Sequence, residues 1–146
     1  MQIFVASDHR GFDLKGRIVA LLPRASFTAS TPVNVVDLGP KYYDQNDDYN
    51  DPARAVARAI LNAKKIGKDE AFGILICGSA IGISIQANRF RGIRAAIVQD
   101  LETAESARAH NDANVSASPP TASIAPPTPS KPKKPTKICS PSSKNS

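Results

Sequence analysis

Ile74-Leu-Ile-Cys-Gly-Ser-Ala-Ile-Gly82 runs an apolar strand straight into a glycine-bracketed turn, with a cysteine at the junction. Three successive aliphatic residues without alternation suit a strand covered on both faces, as in a parallel sheet. Gly78 and Gly82 permit a tight turn, and Ile83 to Phe90 can continue as a helix. A strand–turn–helix junction gathers backbone N–H groups and a helix N-terminus into one small volume, which favours a bound anion. The same field favours a thiolate at Cys77. An anion cradle beside a base or nucleophile suggests chemistry on a phosphorylated or otherwise anionic small molecule. The pattern reads equally as an ordinary strand–helix turn with a core cysteine.

The same alternation repeats on either side. Ile3 to Ala6 predicts a short strand, and Ser7-Asp-His-Arg-Gly11 the turn after it. Leu14, Ile18, Leu21 and Leu22 then fall on one helical face, ended by Pro23. Val33 to Leu38 predicts a second strand, stopped by Gly39-Pro40, and Lys41 to Asn50 a long polar loop. Asp51-Pro52 supplies an N-cap and a first helical residue. Ala53, Val56, Ala57, Ile60 and Leu61 give the next helix its apolar stripe, and Gly67 its terminator. Phe72 to Ile76 is strand three and Arg94 to Val98 strand four. Leu101 to His110 is an alanine-rich helix, and Ala113-Asn-Val115 begins a candidate fifth strand. Strand and helix alternating four times with short connections predict a doubly wound parallel sheet.

After Val115 the pattern stops. Residues 116–146 hold eight of the twelve prolines, eight serines and five lysines, with neither helical nor strand period. The expectation is therefore a domain over 1–115 and a disordered tail over 116–146, with no fifth strand. The tail also explains the charge. Residues 1–115 carry 14 Lys+Arg against 13 Asp+Glu, so the net +6 of the chain is mostly the tail's. That balance, and a tail without aromatics to stack bases, argue against a nucleic-acid partner. Cys77 and Cys139 do not make a disulfide framework, and no apolar run approaches a membrane span. A soluble cytoplasmic protein is the expectation.

In open α/β sheets ligands bind at the carboxyl ends of the strands. Ser7-Asp8-His9 and Cys77 to Gly82 follow strand ends, and His110-Asn111 closes the fourth helix. Each has a plainer reading. Asp8 and His9 cap a helix, His110 suits a helix C-terminus, and Tyr49 is a rim contact or simple surface. Three clusters on one expected face favour a site.

These residues resemble a family. Ser7-Asp-His-Arg-Gly-Phe12 with Leu14-Lys15 is similar to the amino-terminal signature of type B ribose-5-phosphate isomerases and the related galactose-6-phosphate isomerase subunits. Val36-Asp-Leu-Gly39, Cys77-Gly-Ser-Ala-Ile-Gly-Ile-Ser-Ile85, Ala87-Asn88, Gly92-Ile-Arg-Ala-Ala96 and His110-Asn-Asp-Ala-Asn-Val115 match in order. The resemblance covers residues 1–115. It implies a flavodoxin-like α/β/α sandwich, usually dimeric with active sites at the interface, acting on a sugar phosphate without metal or cofactor. By resemblance, Cys77 shuttles a proton between C1 and C2 through an enediolate, with Ser79 beside it. The backbone of Gly78, Ala80, Ile81 and Gly82 cradles oxyanion charge, and His110 opens the furanose ring. Asn111 is an implied substrate contact, and Asp8 and His9 are implied contacts to sugar and phosphate; Tyr49 stays a candidate substrate contact from its place in the loop.

Two departures accompany the match. Ala80 stands where the family usually carries glycine, so a positive φ there would strain the turn by roughly 1 kcal/mol or more. Beyond Val115 the family's fifth strand, terminal helix and phosphate-binding arginines have no counterpart, which predicts a weakened homodimer. The implied reaction is interconversion of ribose 5-phosphate and ribulose 5-phosphate. A 6-phosphate hexose as substrate, or a non-catalytic remnant that only binds, are the alternatives.

Overall fold

The computed structural model describes residues 1–24, 32–68 and 70–122. Five parallel strands form one sheet: β1 (Gln2–Ser7), β2 (Asn34–Asp37), β3 (Ala71–Ile76), β4 (Ala95–Ile97) and β5 (Val115–Ser118). Four helices connect them: α1 (Phe12–Leu21), α2 (Asn50–Lys65), α3 (Ile81–Asn88) and α4 (Leu101–Asn111). The strand order is β2-β1-β3-β5-β4, so the chain reverses direction across the sheet between β1 and β3. This is the doubly wound, flavodoxin-like architecture that the alternation of elements predicts.

The central strands are closed to water on both faces. Phe4, Ala6, Leu75, Val115 and Ala117 pack against Ala53, Val56, Ile60 of α2 and Ile83, Ala87 of α3. Ile3, Val5, Ile74 and Ile76 meet Leu14, Ile18 and Val19 of α1 on the other face. Ala96 and Val98 pack with Ala104 and Ala107 of α4 on that second face, since Ala95 looks toward α2 and α3. Three layers result, with the sheet in the middle.

The fifth strand corrects the sequence reading. Val115–Ser118 is not tail; it lies between β3 and β4, pairing Gly73 with Val115 and Ile76 with Ser118 on one side, and Ala95 with Val115 on the other. The composition misled because this strand is small rather than polar by function. Ala117 and Ser118 are fully buried, and a strand covered from both faces and both edges accepts small residues without needing an aliphatic run. The domain therefore runs past residue 115. The remainder of the expected tail, from 123 onward, lies outside the described residues, as does Cys139.

Helix ends also shift. α2 begins at Asn50 rather than Pro52, because Asp48 accepts from the Asn50 N–H at 2.8 Å and its carbonyl takes the Asp51 N–H. Asp51 and Pro52 thus occupy the first turn. Gly67 closes α2 as predicted, with its N–H on the Lys64 carbonyl and that of Lys68 on Ala63. α4 opens with a capping box in which Asp100 accepts from Thr103 N–H at 2.8 Å. The Thr103 N–H and hydroxyl hold the Asp100 carboxyl below its ordinary range.

Candidate active site

The reversal between β1 and β3 opens a crevice at the carboxyl ends of those two strands, where such sheets bind ligands. Both flanks carry predicted site residues. β1 ends at Ser7, and Asp8 turns the chain into a short 3-10 helix, His9–Gly11, that leads into α1. The Asp8 carboxylate accepts from Arg10 N–H at 2.9 Å and Gly11 N–H at 3.2 Å, so the capping role read for it is real. Its backbone N–H donates to the Ile76 carbonyl, lacing the end of β1 to β3. Burial pushes the Asp8 carboxyl above its ordinary value, while the Gly11 and Arg10 N–H groups draw it partly back.

β3 ends at Ile76, and Cys77 follows, buried with its N–H on the Ser118 carbonyl at 3.3 Å. The turn to α3 is held by close packing at two glycines. A side chain at Gly78 would meet the stem and guanidinium of Arg10, 2.7 Å from its Cδ. One at Gly82 would enter the Tyr49 ring, 2.6 Å from Cζ. Tyr49 is therefore in contact with the turn rather than merely on its rim. Between the glycines, Ala80 adopts φ 65° and ψ −10°, the left-handed region anticipated for it. Its methyl is fully buried, and Ile81 follows as the first residue of α3. Ser79 Oγ accepts weakly from Ile81 N–H at 3.4 Å.

Three residues at this edge escaped the sequence reading. Lys15 is buried, and its ammonium donates to both Asp37 oxygens at 2.7 and 3.0 Å and to the Pro40 carbonyl at 3.0 Å. It also lies 5.4 Å from the Phe12 ring centroid. Lys15 thereby pins the start of the 38–49 loop. Asp47 fastens the other end to His9, and Arg10 lies over Gly78. The partners are 22 and 38 residues apart, so no local pattern announces them; only the buried position of Lys15 on the apolar face of α1 carried a signal.

His110 and Asn111 are not here. They close α4, which starts beside the carboxyl end of β4 and runs back to the amino end of β5. Eleven residues of helix carry the chain about 16 Å. The opposite edge is also marked by Arg94, just before β4, which pairs with Asp112 at 3.1 Å. His110 and Asn111 are exposed there. One copy of the chain brings together Asp8, His9, Tyr49, Cys77, Gly78, Ser79, Ala80, Ile81 and Gly82, and holds His110 and Asn111 apart from them. Among the described residues, no group of three or more His, Cys, Asp or Glu side chains is placed to hold a metal, and no helix is long and apolar enough to cross a membrane.

Comparison with known proteins agrees with this geometry. The model of the Ribose/Galactose Isomerase family matches residues 3–120, from the start of β1 to just beyond β5. The chain belongs to that family. It is 46% identical over 113 residues to the probable ribose-5-phosphate isomerase B of Mycoplasma genitalium, covering 77% of this chain and 68% of the relative. Against ribose-5-phosphate isomerase B of Escherichia coli it is 40% identical over 114 residues, covering 78% and 68%. The crystal structure of the Mycoplasma genitalium enzyme with bound ribulose-5-phosphate superposes with a TM-score of 0.70 at 43% identity, covering 82% of this chain and 72% of that one.

Proposed function

We propose that this chain interconverts ribose 5-phosphate and ribulose 5-phosphate as a cytoplasmic aldose–ketose isomerase. The observation that carries the reading is Cys77, buried at the switch point of the sheet and followed directly by the turn into α3. A thiolate there takes the C2 proton of the open-chain aldose and returns it to C1. The electron pair rests meanwhile on the C1 oxygen of the enediolate, for which the amides of the Gly78–Gly82 turn are the donors, and the proton of the C2 hydroxyl passes to that oxygen as C1 is protonated and C2 becomes the carbonyl. Preorganised donors of this kind contribute more than any other single element in such reactions. Asp8, His9, Tyr49 and Ser79 are the side chains this reading gives as contacts to the sugar phosphate.

Ring opening needs an acid/base at a sugar oxygen, and His110 is the residue that the family resemblance implies. Because His110 sits at the far edge of its own sheet, this reading requires a second copy of the chain to deliver His110 and Asn111 to Cys77. The surface beside the site suits such a partner. Ile81 and Ile85, one turn apart on α3, are 54% and 60% exposed, an apolar pair that burial against a homodimer partner would remove from water.

The test is a coupled assay for ribulose 5-phosphate formation by the full chain. The parent should convert ribose 5-phosphate, and Cys77→Ala should lose activity by about a thousandfold, the scale of a removed general base, with an unchanged circular dichroism spectrum. Near-full activity in the alanine variant would exclude Cys77 as the base.

A further inference from the structure

Most of α4 faces solvent; Ala104, Ala107 and Arg108 are its residues turned away from it. The alanines reach Ala96, Val98 and Ala113 with single methyl groups, so Arg108 is the long side chain that ties this helix to the sheet. With Ile3, Phe72 and Ile74 it lines the cleft between α4 and the strands, and its side chain is 16% exposed. The guanidinium lies 5.0 Å from the Phe72 ring centroid, within cation–π range. It also donates to the Ala113 carbonyl and stands 3.6 Å from the Asp112 carboxylate. Arg94 holds Asp112 as well, donating to its carbonyl at 2.8 Å and to its carboxylate at 3.1 Å. β3 and the connection into β5 thus grip the last turn of α4 together.

We propose that Arg108 is a positioning residue that fixes His110 and Asn111 in the pose a second copy of the chain receives. Side chains two residues apart on a helix point to opposite sides. Arg108 facing the sheet therefore sends His110 outward from the same turn, where it is exposed. Because Arg108 is turned toward its own strands, its part in the reaction is played through His110. Without it the turn is held by alanine methyls and the Arg94–Asp112 pair. The role of His110 comes from the isomerase reading, on which the proposal rests, while the clamp is a property of this chain's own contacts.

Arg108→Met keeps the apolar stem beside Phe72 and removes the charge and the donors, whereas Arg108→Lys restores the charge without the planar fork. In the coupled assay the methionine variant should lose about tenfold to a hundredfold in kcat, the scale of misplacing a reacting group, with KM little changed, and lysine should recover part of the loss. Complementation separates positioning from general damage. Arg108→Met and Cys77→Ala, mixed and allowed to exchange, should recover about a quarter of the parent activity, because each mixed dimer pairs an intact Cys77 with an intact α4. Mixed with His110→Asn, Arg108→Met should give only the mean of the two variants alone. Nitrogen-15 relaxation of the full chain reads the clamp without turnover. The His110 and Asn111 amides should have order parameters of about 0.85 in the parent and below about 0.6 in Arg108→Met. Recovery with His110→Asn above that mean, no recovery with Cys77→Ala where His110→Asn does complement it, or unchanged order parameters each overturns the proposal. A parent without isomerisation, or a failure of His110→Asn to complement Cys77→Ala, sinks the functional reading instead and leaves the order parameters to decide the clamp.

Discussion

The two edges of the sheet carry the same backbone anomaly and treat it differently. At the carboxyl edge, Ala80 adopts φ 65° inside the turn that follows Cys77; at the amino edge, Asp112 adopts φ 50° between α4 and β5. Asp112 is a residue type that tolerates the left-handed region, and its carboxylate is paired with Arg94 at 3.1 Å and Arg108 at 3.6 Å. Arg108 in turn donates to the Ala113 carbonyl and lies 5.0 Å from the Phe72 ring. Ala80 has no polar means of compensation; its methyl is simply buried. A turn whose task is to hold two elements together is stabilised by every contact at hand. The turn beside Cys77 keeps its strain.

The largest test of this division is whether the edges work together only across two copies. Cys77→Ala and His110→Asn should each be inactive alone by about a thousandfold. Mixed as equal amounts and allowed to exchange, half the dimers would be mixed and each would own one complete site, giving about a quarter of the parent activity. No recovery after verified exchange would break the claim that one copy completes the other.

Stability separates the two turns next. Asp112→Ala gives up both ion pairs and places alanine at positive φ, and should cost about 1–2 kcal/mol in urea denaturation. Ala80→Gly relieves a left-handed penalty of about 1–2 kcal/mol but removes a buried methyl worth about 0.8 kcal/mol. The net should lie within about 1 kcal/mol of zero, on the stabilising side. A larger loss at Ala80→Gly than at Asp112→Ala would reverse the comparison.

Much of this was legible before any coordinates. Cys77 at a strand end and the capping role of Asp8 follow from patterns spanning a few residues, whereas a left-handed residue 80 was suggested only by the glycine that the resembled family usually carries there. The order of strands was not, because β5 is recognisable only from its neighbours. Ser116-Ala-Ser looks like the start of a Ser/Pro tail until Ile76 and Ala95 are seen to flank the strand it belongs to. The Lys15–Asp37 and His9–Asp47 pairs were invisible for the same reason: each joins elements far apart in the chain, and a lysine on an apolar helical face signals only that something must satisfy it. The separation of His110 from Cys77, by contrast, follows from topology alone once α4 is known to return toward the amino edge.

The smallest effect concerns Asp8. Burial raises its carboxyl above the ordinary 3.8, so the folded chain holds this proton more tightly than the unfolded chain does. Stability from this group is greatest below the ordinary value and declines as pH rises through the folded one. Asp8→Asn keeps an acceptor for the Arg10 and Gly11 N–H groups without the charge. It should be slightly more stable than the parent at pH 7, with the difference vanishing below about pH 3. Thermal melts at the two pH values measure it, and a variant less stable at pH 7 would show that the charge itself supports the cap.

The position of β5 also sets when the molecule can become itself. Ile76 and Ala95 belong to strands made earlier in synthesis, yet neither β3 nor β4 has its partner on that side until Ser118 has been added. Until then the nascent chain presents an open edge in the middle of its future sheet, and β4 has nothing among the described strands to pair with. Closing that gap joins residues distant in sequence, a slow event with exposed strands waiting on either side. The Cys77 N–H finds the Ser118 carbonyl only once β5 is in place, so the turn beside the thiol depends on the last of the described strands to be synthesised.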